Sequence, residues 1–562
     1  MKKGIISFLG IPFAKPPVGH LRWRAPQKPD KMKGVYKAYQ NGPIPIQIIS
    51  TENSKTAPLA MSEDCLYLNI WLSNKETGKK AVLFWIYGGS YVAGHNHISE
   101  YSPEELVRKN PDILVVVPNY RLGILASLNL SSVDSSGEYG ESCNLALLDQ
   151  RMAMKWVHDN IESFGGDPEN VTLFGHSAGS NAITHHLLLD ESRKYFNKAI
   201  CESSFFPDLG FTTRERSLAA AETFFQISQT KQLKQLLELS PQEILEAQKQ
   251  LYMAKLPGKE GKLFSPVADG MVVSKDPFAD AIKRKFPEIP VMLGTSQGEY
   301  DQMFIGLSSD ETRQKVTLLN QGKLMGHPEI IEKYLNLAVN MPEKEVYMDL
   351  QSDLYLRVPG LILAEAFCVH TDVYVFYFSK YDHKKHCRAG HGAMNPYIFG
   401  NIEEDEEEIS PEMKELGEYI MNHQAEAFDL AVEGYTCQSE KVEAELLTDG
   451  TVNVTEYWTY SCRNFEKMTK FERTLAKSED YEISDIRVVM GSEELERFNS
   501  YEEIQAATES EGEKYPERKY TLDETDTSYE INAYLKNWNA TTTIKVLYTV
   551  KGSVQFHNDI ME

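Results

Sequence analysis

Residues 175–179 of this chain read Gly-His-Ser-Ala-Gly, a serine held between two glycines. An apolar run at residues 171–174 predicts a strand before this pattern, and residues 181–189 are compatible with a helix after it. A serine on such a strand-to-helix turn is a nucleophile elbow, because the glycines remove Cβ atoms that would clash and the helix N-terminus directs partial positive charge at the hydroxyl. Ser177 is therefore a candidate nucleophile. The alternative is a buried turn serine that matches the pattern by chance.

A nucleophilic serine needs a base within hydrogen-bond reach and a carboxylate that orients the base. In α/β-hydrolases these groups follow in the order nucleophile, acid, histidine. Downstream of Ser177, Glu299 lies just after a strand predicted at residues 290–293. We predict that Glu299 is the acid. Asp301 is its rival, and an exposed carboxylate at a strand end is the structural alternative.

The histidine that best suits the base lies in the segment Ala-Gly-His-Gly at residues 389–392. This segment comes after a strand predicted at residues 373–378, so the histidine also lies beyond a strand end. His391 is therefore the candidate base. Its competitors are His383 and His386, which lack the glycine-flanked setting.

Attack on a carbonyl also requires donors for the negative charge that develops on its oxygen. Residues 86–91 read Ile-Tyr-Gly-Gly-Ser-Tyr and lie at the end of an apolar strand predicted at residues 81–87. A turn of this kind exposes backbone N–H groups. Together with the Ala178 N–H, they predict an oxyanion hole beside Ser177.

The elements that must position these groups have the pattern of a doubly wound α/β core. The apolar runs at residues 81–87 and 113–118 do not alternate with polar residues, as expected for strands buried on both faces of a parallel sheet. Apolar residues recur at helical spacing between residues 145 and 161, and residues 213–256 are rich in helical patterns. Strand, helix and strand with short links predict an α/β-hydrolase fold, a mostly parallel sheet flanked by helices.

The character of the sequence changes after about residue 433. Residues 411–431 read as a last helix, whereas residues 451–460 alternate polar and apolar side chains with the period of a strand. This change predicts a separate, antiparallel, β-rich and sandwich-like module. We therefore predict an α/β-hydrolase domain at residues 1–434 and a β-rich accessory domain at residues 435–562.

Composition restricts the classes of function. The chain has 562 residues, of which 42% are hydrophobic, and a formal net charge of −24. No run approaches the roughly 20 apolar residues that span a bilayer, so we expect no membrane span. The negative charge argues against a nucleic-acid binder, which needs a basic surface.

The N-terminus and the cysteines together predict a cytoplasmic protein. Pro12, Pro16 and Pro17 interrupt the first apolar stretch, and no small-residue cleavage site follows, so we expect no signal peptide. The seven cysteines are scattered and odd in number, without a CxxC pair, which favours free thiols in a reducing compartment. An extracytoplasmic association stays open because of the C-terminal module.

Two histidine pairs could suggest a metal site: His95 with His97, and His185 with His186. Neither pair comes with a matching set of Cys, Asp or Glu residues. We therefore expect these histidines to be structural or exposed, and we expect no metal and no organic cofactor.

Beyond single motifs, the chain resembles the type-B carboxylesterase family, which includes the cholinesterases, over roughly residues 4–432. The matching segments follow one another in order: Gly-Ile-Pro-Phe-Ala-Lys-Pro-Pro-Val-Gly-His-Leu-Arg-Trp at 10–23, Ser-Glu-Asp-Cys-Leu-Tyr-Leu-Asn at 62–69, Trp-Ile-Tyr-Gly-Gly at 85–89, Asn-Tyr-Arg-Leu-Gly at 119–123, Leu-Asp-Gln at 148–150, Phe-Gly-Gly-Asp-Pro at 164–168 and Gly-His-Ser-Ala-Gly at 175–179. An ordered series of matches is far more specific than any one of them.

The resemblance implies a role for each site residue. The catalytic triad would comprise Ser177 as nucleophile, His391 as general base and acid, and Glu299 as the carboxylate that orients the histidine. The oxyanion hole would comprise three backbone N–H groups, those of Gly89, Ser90 and Ala178.

The chain departs from the family pattern at several of these places. Ser90 stands where the family usually has a third glycine, and His176 stands where Glu commonly precedes the serine. For His176 we favour a structural role over a hydrogen bond near the elbow. Ala393 and Met394 replace the acidic pair usual after the catalytic histidine. The loop at residues 48–63 has no tryptophan, so acetylcholine is not expected as a substrate.

The tail from about residue 440 resembles the extracytoplasmic β domain of an uncharacterised family of bacterial predicted membrane proteins. The resemblance rests on short motifs at residues 449–456 and 547–552. The tail has no nucleophile motif of its own, and we therefore hypothesise that the C-terminal module binds an unknown partner or surface.

The leading interpretation is a serine carboxylic-ester hydrolase that acts through an acyl-enzyme on small or medium carboxylic esters. One alternative is a binding or adhesion protein that has lost catalysis on the same scaffold. Another is an amidase or thioesterase with the same chemistry. The complete triad favours the enzyme. The physiological ester and the oligomeric state stay open.

Overall fold

The computed structural model describes most of the first 401 residues and the strands of the C-terminal part. The described residues are 4–48, 60–75, 78–204, 210–254, 256, 263–283, 289–319, 329–337, 342–379, 381–382, 387–401, 435–446, 452–462, 470–476, 481–490, 493–498, 519–524, 528–534 and 542–552. The chain forms two compact units, residues 1–371 with 377–401 and residues 372–376 with 402–562. The predicted domain boundary between residues 434 and 435 borders a stretch outside the described residues, and it stays a prediction.

The first unit is built on a mixed sheet. In chain order, the strands up to residue 378 are β1 (Ile5–Pro12), β2 (Tyr67–Ser73), β3 (Lys80–Ile86), β4 (Ile113–Pro118), β5 (Gly166–His176), β6 (Lys198–Glu202), β7 (Thr212–Thr213), β8 (Val267–Ala268), β9 (Val291–Ser296) and β10 (Val373–Phe378). Of these, β7 and β8 form a separate two-stranded parallel sheet. Two short strands follow, β11 (Tyr381–Asp382) and β12 (Cys387–Arg388). The strands predicted at residues 81–87, 113–118, 171–174 and 290–293 are thus present, with small shifts at their ends.

The centre of this sheet is parallel, as predicted. The order of its strands is β1-β2-β4-β3-β5-β6-β9, and the five strands from β4 to β9 run parallel to one another. All six residues of β4 are buried, and so are six of the seven residues of β3. The lack of polar alternation in these runs therefore has the expected cause, because helices cover both faces of such a sheet.

The antiparallel edge of the sheet was not predicted. β1 pairs with β2, and β2 pairs with β4, both in antiparallel register. The register of β1 shifts between Phe8 and Ile11, so its side chains do not keep one simple alternation along the strand. Because of this irregularity, polar and apolar residues do not alternate along β1, which also contains glycine and proline. The sequence pattern therefore did not predict this strand.

Helices connect the strands. Those of the first unit are α1 (Glu104–Lys109), α2 (Ile124–Ser127), α3 (Leu145–Asn160), α4 (Ala178–Leu188), α5 (Asp190–Arg193), α6 (Arg214–Ile227), α7 (Leu233–Glu238), α8 (Pro241–Met253), α9 (Pro277–Lys283), α10 (Ser309–Leu319), α11 (Glu329–Leu337), α12 (Glu343–Ser352), α13 (Val358–Cys368) and α14 (Asn395–Phe399). The helix predicted at residues 145–161 is α3, and the helix-rich region at residues 213–256 contains α6, α7 and α8. The helix predicted at residues 411–431 lies outside the described residues. None of the helices that the structure describes is long and apolar enough to cross a membrane.

A buried ion pair attaches α3 to the loop after β4. Asp149 is fully buried on α3 and accepts hydrogen bonds from the Arg121 backbone N–H at 3.0 Å, from Nε at 2.8 Å and from a terminal guanidinium nitrogen at 2.7 Å. Arg121 also donates to the Arg24 carbonyl at 2.8 Å. The two charges thus satisfy one another out of water, and they fix the helix against the sheet.

Free thiols were predicted and are found at the cysteines whose side chains are described. Cys65, Cys143 and Cys201 are buried, Cys368 is partly buried, and none of the four forms a disulfide. Burial raises the pKa of Cys201 to about 12. The three buried thiols, whose pKa values burial raises, therefore stay protonated and behave as small apolar side chains.

The second unit is β-rich, as predicted. Its strands are β13 (Tyr435–Leu446), β14 (Val452–Cys462), β15 (Lys470–Ala476), β16 (Tyr481–Met490), β17 (Glu493–Glu494), β18 (Glu496–Phe498), β19 (Lys519–Glu524), β20 (Ser528–Tyr534) and β21 (Thr542–Gly552). One group follows the order β13-β14-β21-β16-β17, and a four-stranded sheet follows the order β15-β20-β19-β18. Only the β18–β19 pair among these described strands is parallel, which the long connection between the two strands permits. A sandwich of these sheets stays a prediction.

The Asp149–Arg121 pair leads to a stability prediction with a control on the same helix. We expect Asp149→Asn to lower the free energy of unfolding by about 3–5 kcal/mol, because it leaves the Arg121 charge buried without its partner. The control is Asp159→Asn, which removes a partly exposed pair with Lys155 at 3.1 Å and should cost about 0.5 kcal/mol or less. Urea unfolding followed by circular dichroism measures both variants. Equal losses for the two variants would contradict the assigned role of the buried pair.

Candidate active site

Ser177 occupies a sharp turn between β5 and α4. Its φ of 57° and ψ of −121° are strained for a residue with a Cβ, and strain of this kind is typical of a nucleophile elbow. The Ser177 N–H donates to the Glu202 carbonyl at the end of the neighbouring β6, at 2.9 Å. The residue is only 5% exposed. The strand and helix predicted on either side of Ser177 are therefore present, and the turn between them has the expected conformation.

The two glycines of the elbow touch the end of β3. A Cβ on Gly179 would lie 1.9 Å from the Ile86 carbonyl oxygen, and one on Gly175 would lie 2.7 Å from the same oxygen. A carbon atom cannot approach a backbone oxygen to either distance without displacing it. Both glycines are thus required by close approach of β5 and α4 to β3, since Gly179 lies inside a helix and needs no unusual φ.

The turn after β3 lies directly beside Ser177. A Cβ on Gly88 would come within 2.9 Å of the Ser177 Cβ, and Gly89 has a φ of +111° that favours glycine. The Gly89 carbonyl accepts hydrogen bonds from the N–H groups of Val92 and Ala93 at 2.9 and 3.1 Å, which closes the turn. The predicted oxyanion donors therefore lie at the correct end of the neighbouring strand.

Ser90 has a backbone conformation that glycine adopts more easily. Its φ is +54°, in the left-handed region, which costs a residue with a Cβ about 1–2 kcal/mol. This is a physical reason for the glycine that the family pattern has there. The N–H group of Ser90 does not depend on its side chain, so the predicted donor is retained.

Glu299 and His391 form the central contact of the site. The His391 Nδ1–H donates to Glu299 Oε2 at 2.7 Å, since a carboxylate only accepts. The other carboxylate oxygen, Oε1, accepts from the Ser203 hydroxyl at 2.5 Å and from the Ser296 N–H at 2.7 Å. Glu299 is 3% exposed. Its carboxylate is thus held on both oxygens, with the orientation that a base-positioning acid needs.

Asp301, the rival of Glu299, is engaged elsewhere. Arg388 donates to its two carboxylate oxygens at 2.8 and 2.9 Å, and a third guanidinium nitrogen of Arg388 donates to Asp349 at 2.7 Å. The Gly298 N–H also donates to the Ala389 carbonyl at 2.8 Å. These contacts join the loop that carries Glu299 to the loop that carries His391.

His176 contacts the candidate base. Its ring centroid lies 4.4 Å from that of His391, with 48° between the ring planes. The residue is 7% exposed, and burial first, then the charge of His391, lower the pKa of His176 well below its usual range. His176 is therefore a neutral imidazole packed against the candidate base.

Two further pairs of histidines were considered in the sequence, His185 with His186 and His383 with His386. His185 bonds to the Gly210 carbonyl at 2.9 Å, and His186 bonds to Ser192 and Gln150, each at 2.9 Å. This pair is buried and structural, as expected. His383 and His386, the competitors of His391, lie outside the described residues.

Two residues of the site were missed in the sequence. Ser203 holds Glu299 from the end of β6, and Arg388 joins the two catalytic loops. A serine after a strand and an arginine three residues before a histidine carry no distinctive spacing. Only the fold, which brings residues 96 and 87 positions apart together, makes these contacts evident.

Comparisons with known proteins agree with this architecture. The model of the carboxylesterase family matches residues 1–427. The para-nitrobenzyl esterase of Bacillus subtilis (strain 168) is 32% identical over 431 residues, which is 75% of this chain and 85% of the relative. The pyrethroid hydrolase Ces2a of Mus musculus is 30% identical over 435 residues, 71% of this chain and 74% of the relative.

A solved structure of a PNB esterase superposes with a TM-score of 0.67 at 28% identity, and the match covers 81% of this chain and 94% of that one. The predicted α/β-hydrolase fold is confirmed. The resemblance predicted for the tail receives no support from these comparisons and stays a prediction.

The packing of the elbow can be tested with two alanine substitutions, both at glycines in helices. Gly179→Ala should lower the free energy of unfolding by about 2–3 kcal/mol or more and reduce esterase activity, because its Cβ would overlap the Ile86 carbonyl. Gly360→Ala on α13 is the control, since a Cβ there meets nothing within 4 Å. It should stabilise the protein by about 0.5–1 kcal/mol. Thermal unfolding and ester hydrolysis report both effects, and a Gly179→Ala protein as stable and active as the control would rule out the proposed contact.

Proposed function

This chain belongs to the carboxylesterase family and is a serine carboxylic-ester hydrolase, and we propose that Ser177, His391 and Glu299 carry its reaction. The observation that carries this proposal is the 2.7 Å hydrogen bond from His391 Nδ1–H to Glu299 Oε2. A histidine that donates from Nδ1 has Nε2 free of a proton and able to accept one. His391 also lies against His176, the residue before Ser177, which places the base next to the elbow.

In the proposed first half-reaction, Ser177 Oγ attacks the ester carbonyl carbon while His391 Nε2 takes the hydroxyl proton. The carbonyl π electrons move to the oxygen, and the tetrahedral intermediate carries a negative charge. His391 then gives its proton to the alkoxy oxygen as the C–O bond breaks. The alcohol leaves, and the acyl group stays on Ser177.

Three backbone N–H groups would stabilise the negative oxygen, those of Gly89, Ser90 and Ala178. Among the hydrogen bonds between described residues, none is donated by these groups. Ala178 is also the first residue of α4, so the partial positive charge of the helix N-terminus adds to its donor. Donors fixed in a turn need no reorganisation when the charge forms, which is the source of their effect.

In the second half-reaction, water replaces the alcohol. His391 takes a proton from the water as its oxygen attacks the acyl carbon, and it returns that proton to Ser177 Oγ as the acyl–oxygen bond breaks. Glu299 stays ionised throughout and stabilises the imidazolium that forms twice per cycle. The products are the carboxylic acid and the regenerated serine.

We propose small or medium carboxylic esters as the substrates. Two relatives are a para-nitrobenzyl esterase and a pyrethroid hydrolase, and the first of them supports a para-nitrobenzyl ester as a first probe. The formal charge of −24 is compatible with neutral or cationic esters. A cytoplasmic location is proposed as well, supported by the buried free thiols, and a partner for the C-terminal module stays a hypothesis.

Removal of the nucleophile tests the central claim. Ser177→Ala should lower kcat for a para-nitrobenzyl ester by about 10⁴-fold or more, because no acyl-enzyme can form. Covalent labelling by an organophosphonate probe, read by mass spectrometry of the intact protein, should occur in the wild type and be lost in the variant. Retained turnover in a folded Ser177→Ala protein would overturn the assignment. A wild type without turnover or labelling would favour a binding protein.

The choice between the two carboxylates is tested by amide substitutions. In Glu299→Gln, the Ser296 N–H requires the amide oxygen at the Oε1 position, so the NH₂ group faces His391 Nδ1. The histidine then carries its proton on Nε2 and cannot act as base, and we expect kcat to fall by about 10⁴-fold. Asp301→Asn is the comparison variant: it weakens the buried contact with Arg388 that joins the two loops, but it leaves the His391 tautomer unchanged, so kcat should fall less than in Glu299→Gln. The opposite ranking would assign the acid to Asp301.

A further inference from the structure

His176 is a buried polar side chain that the catalytic cycle does not use. The residue is only 7% exposed, and within the described part of the chain its Nε2 atom has no hydrogen-bond partner. An unpartnered buried nitrogen costs about 1–3 kcal/mol, so an apolar residue or a better satisfied one would make a more stable site. The imidazole therefore has a reason to be there other than stability.

The surroundings of His176 identify that reason. A Cβ on Gly88 would lie 3.5 Å from His176 Nδ1, and a Cβ on Gly392 would lie 3.1 Å from His176 Cε1. The ring thus fills the space between the turn that supplies the oxyanion donors and the loop that carries His391. It also contacts the His391 ring itself, at 4.4 Å between centroids. Among the ring contacts between described residues, His176 supplies the one imidazole that packs against His391.

We propose that His176 is a positioning residue for His391, and that a neutral side chain at position 176 sets the lower end of the pH range in which His391 works as the base. This inference rests on the proposed function, in which His391 must be unprotonated to accept the Ser177 proton. Because the His176 ring lies against the His391 ring, a positive charge on His176 would oppose the imidazolium that His391 forms in the proposed cycle, and a negative charge there would favour it.

Charged groups in direct contact with the two histidines, or near them in the fold, enter this balance. Glu299 faces it from the loop after β9, and Glu202 lies at the end of β6, in register with His176. Arg388 and Asp301 neutralise one another beneath the same loops. His176 adds no negative charge to this set, and its low pKa keeps it from adding a positive one. A carboxylate at position 176 would instead favour the imidazolium of His391 and shift the onset of activity to higher pH.

The test compares two variants of nearly equal size, His176→Glu and His176→Gln, in the full-length protein. The acid limb of the kcat/KM profile reports the free enzyme's base. We expect His176→Glu to move this limb upward by about 1 pH unit or more, and His176→Gln to move it by less than about 0.3 unit. A packing role alone would lower the plateau in both variants and leave the limb where it is, so two coincident limbs would overturn the proposal.

A measurement on the unmodified site covers the case in which His176→Glu does not fold. In wild-type protein with ¹³Cε1-labelled histidine, the His391 signal is assigned by its loss in His391→Gln. The His176 signal should stay that of a neutral imidazole throughout the pH range of the acid limb, over which the His391 signal titrates. A His176 signal that titrates first would contradict the proposal. His185→Gln is the control for a buried histidine away from His391, and it should leave the limb unchanged. If Ser177→Ala keeps its turnover, the proposed function fails instead, and the two failures are thereby separated.

Discussion

The site depends on the close packing of the β3 backbone against the turn that carries Ser177. The Ile86 carbonyl lies where a Cβ on Gly179 would be, so β5 and α4 can approach β3 only with glycine at that position. This approach places Ser177 beside Gly88 and the turn that follows it. The proposed nucleophile and the turn with the proposed oxyanion donors are therefore brought together by backbone packing, before any side chain of the site contributes.

The base is added to this framework by electrostatic contacts. Glu299 is fixed by Ser203 and the Ser296 N–H, and it fixes His391 in turn. Asp301, two residues after Glu299, pairs with Arg388, three residues before His391. The loops of the acid and of the histidine are therefore joined at a second point. Each contact limits the freedom of the next one, so the position of the His391 ring is fixed by the two loops together.

The sequence predicts those parts of the site that depend on local patterns, and it does not predict contacts between residues far apart in the chain. The strand before Ser177 and the apolar strands β3 and β4 follow from local patterns, and Glu299 and His391 follow from their order after strand ends. The bulged strand β1 was missed because its alternation is broken. Ser203, Arg388 and the contact of His176 with His391 were missed because they join positions far apart in the chain, and no local spacing encodes such contacts.

The departures from the family pattern act in one direction. His176, Ala393 and Met394 stand where the family usually has carboxylates, and Met394 is buried at the start of α14. Three fewer negative charges leave Glu299 as the carboxylate in direct contact with His391. Nearby negative charge stabilises an imidazolium. In the proposed mechanism, the imidazolium that forms during attack is therefore stabilised by Glu299, the carboxylate bonded to its Nδ1, and not by carboxylates at positions 176, 393 or 394.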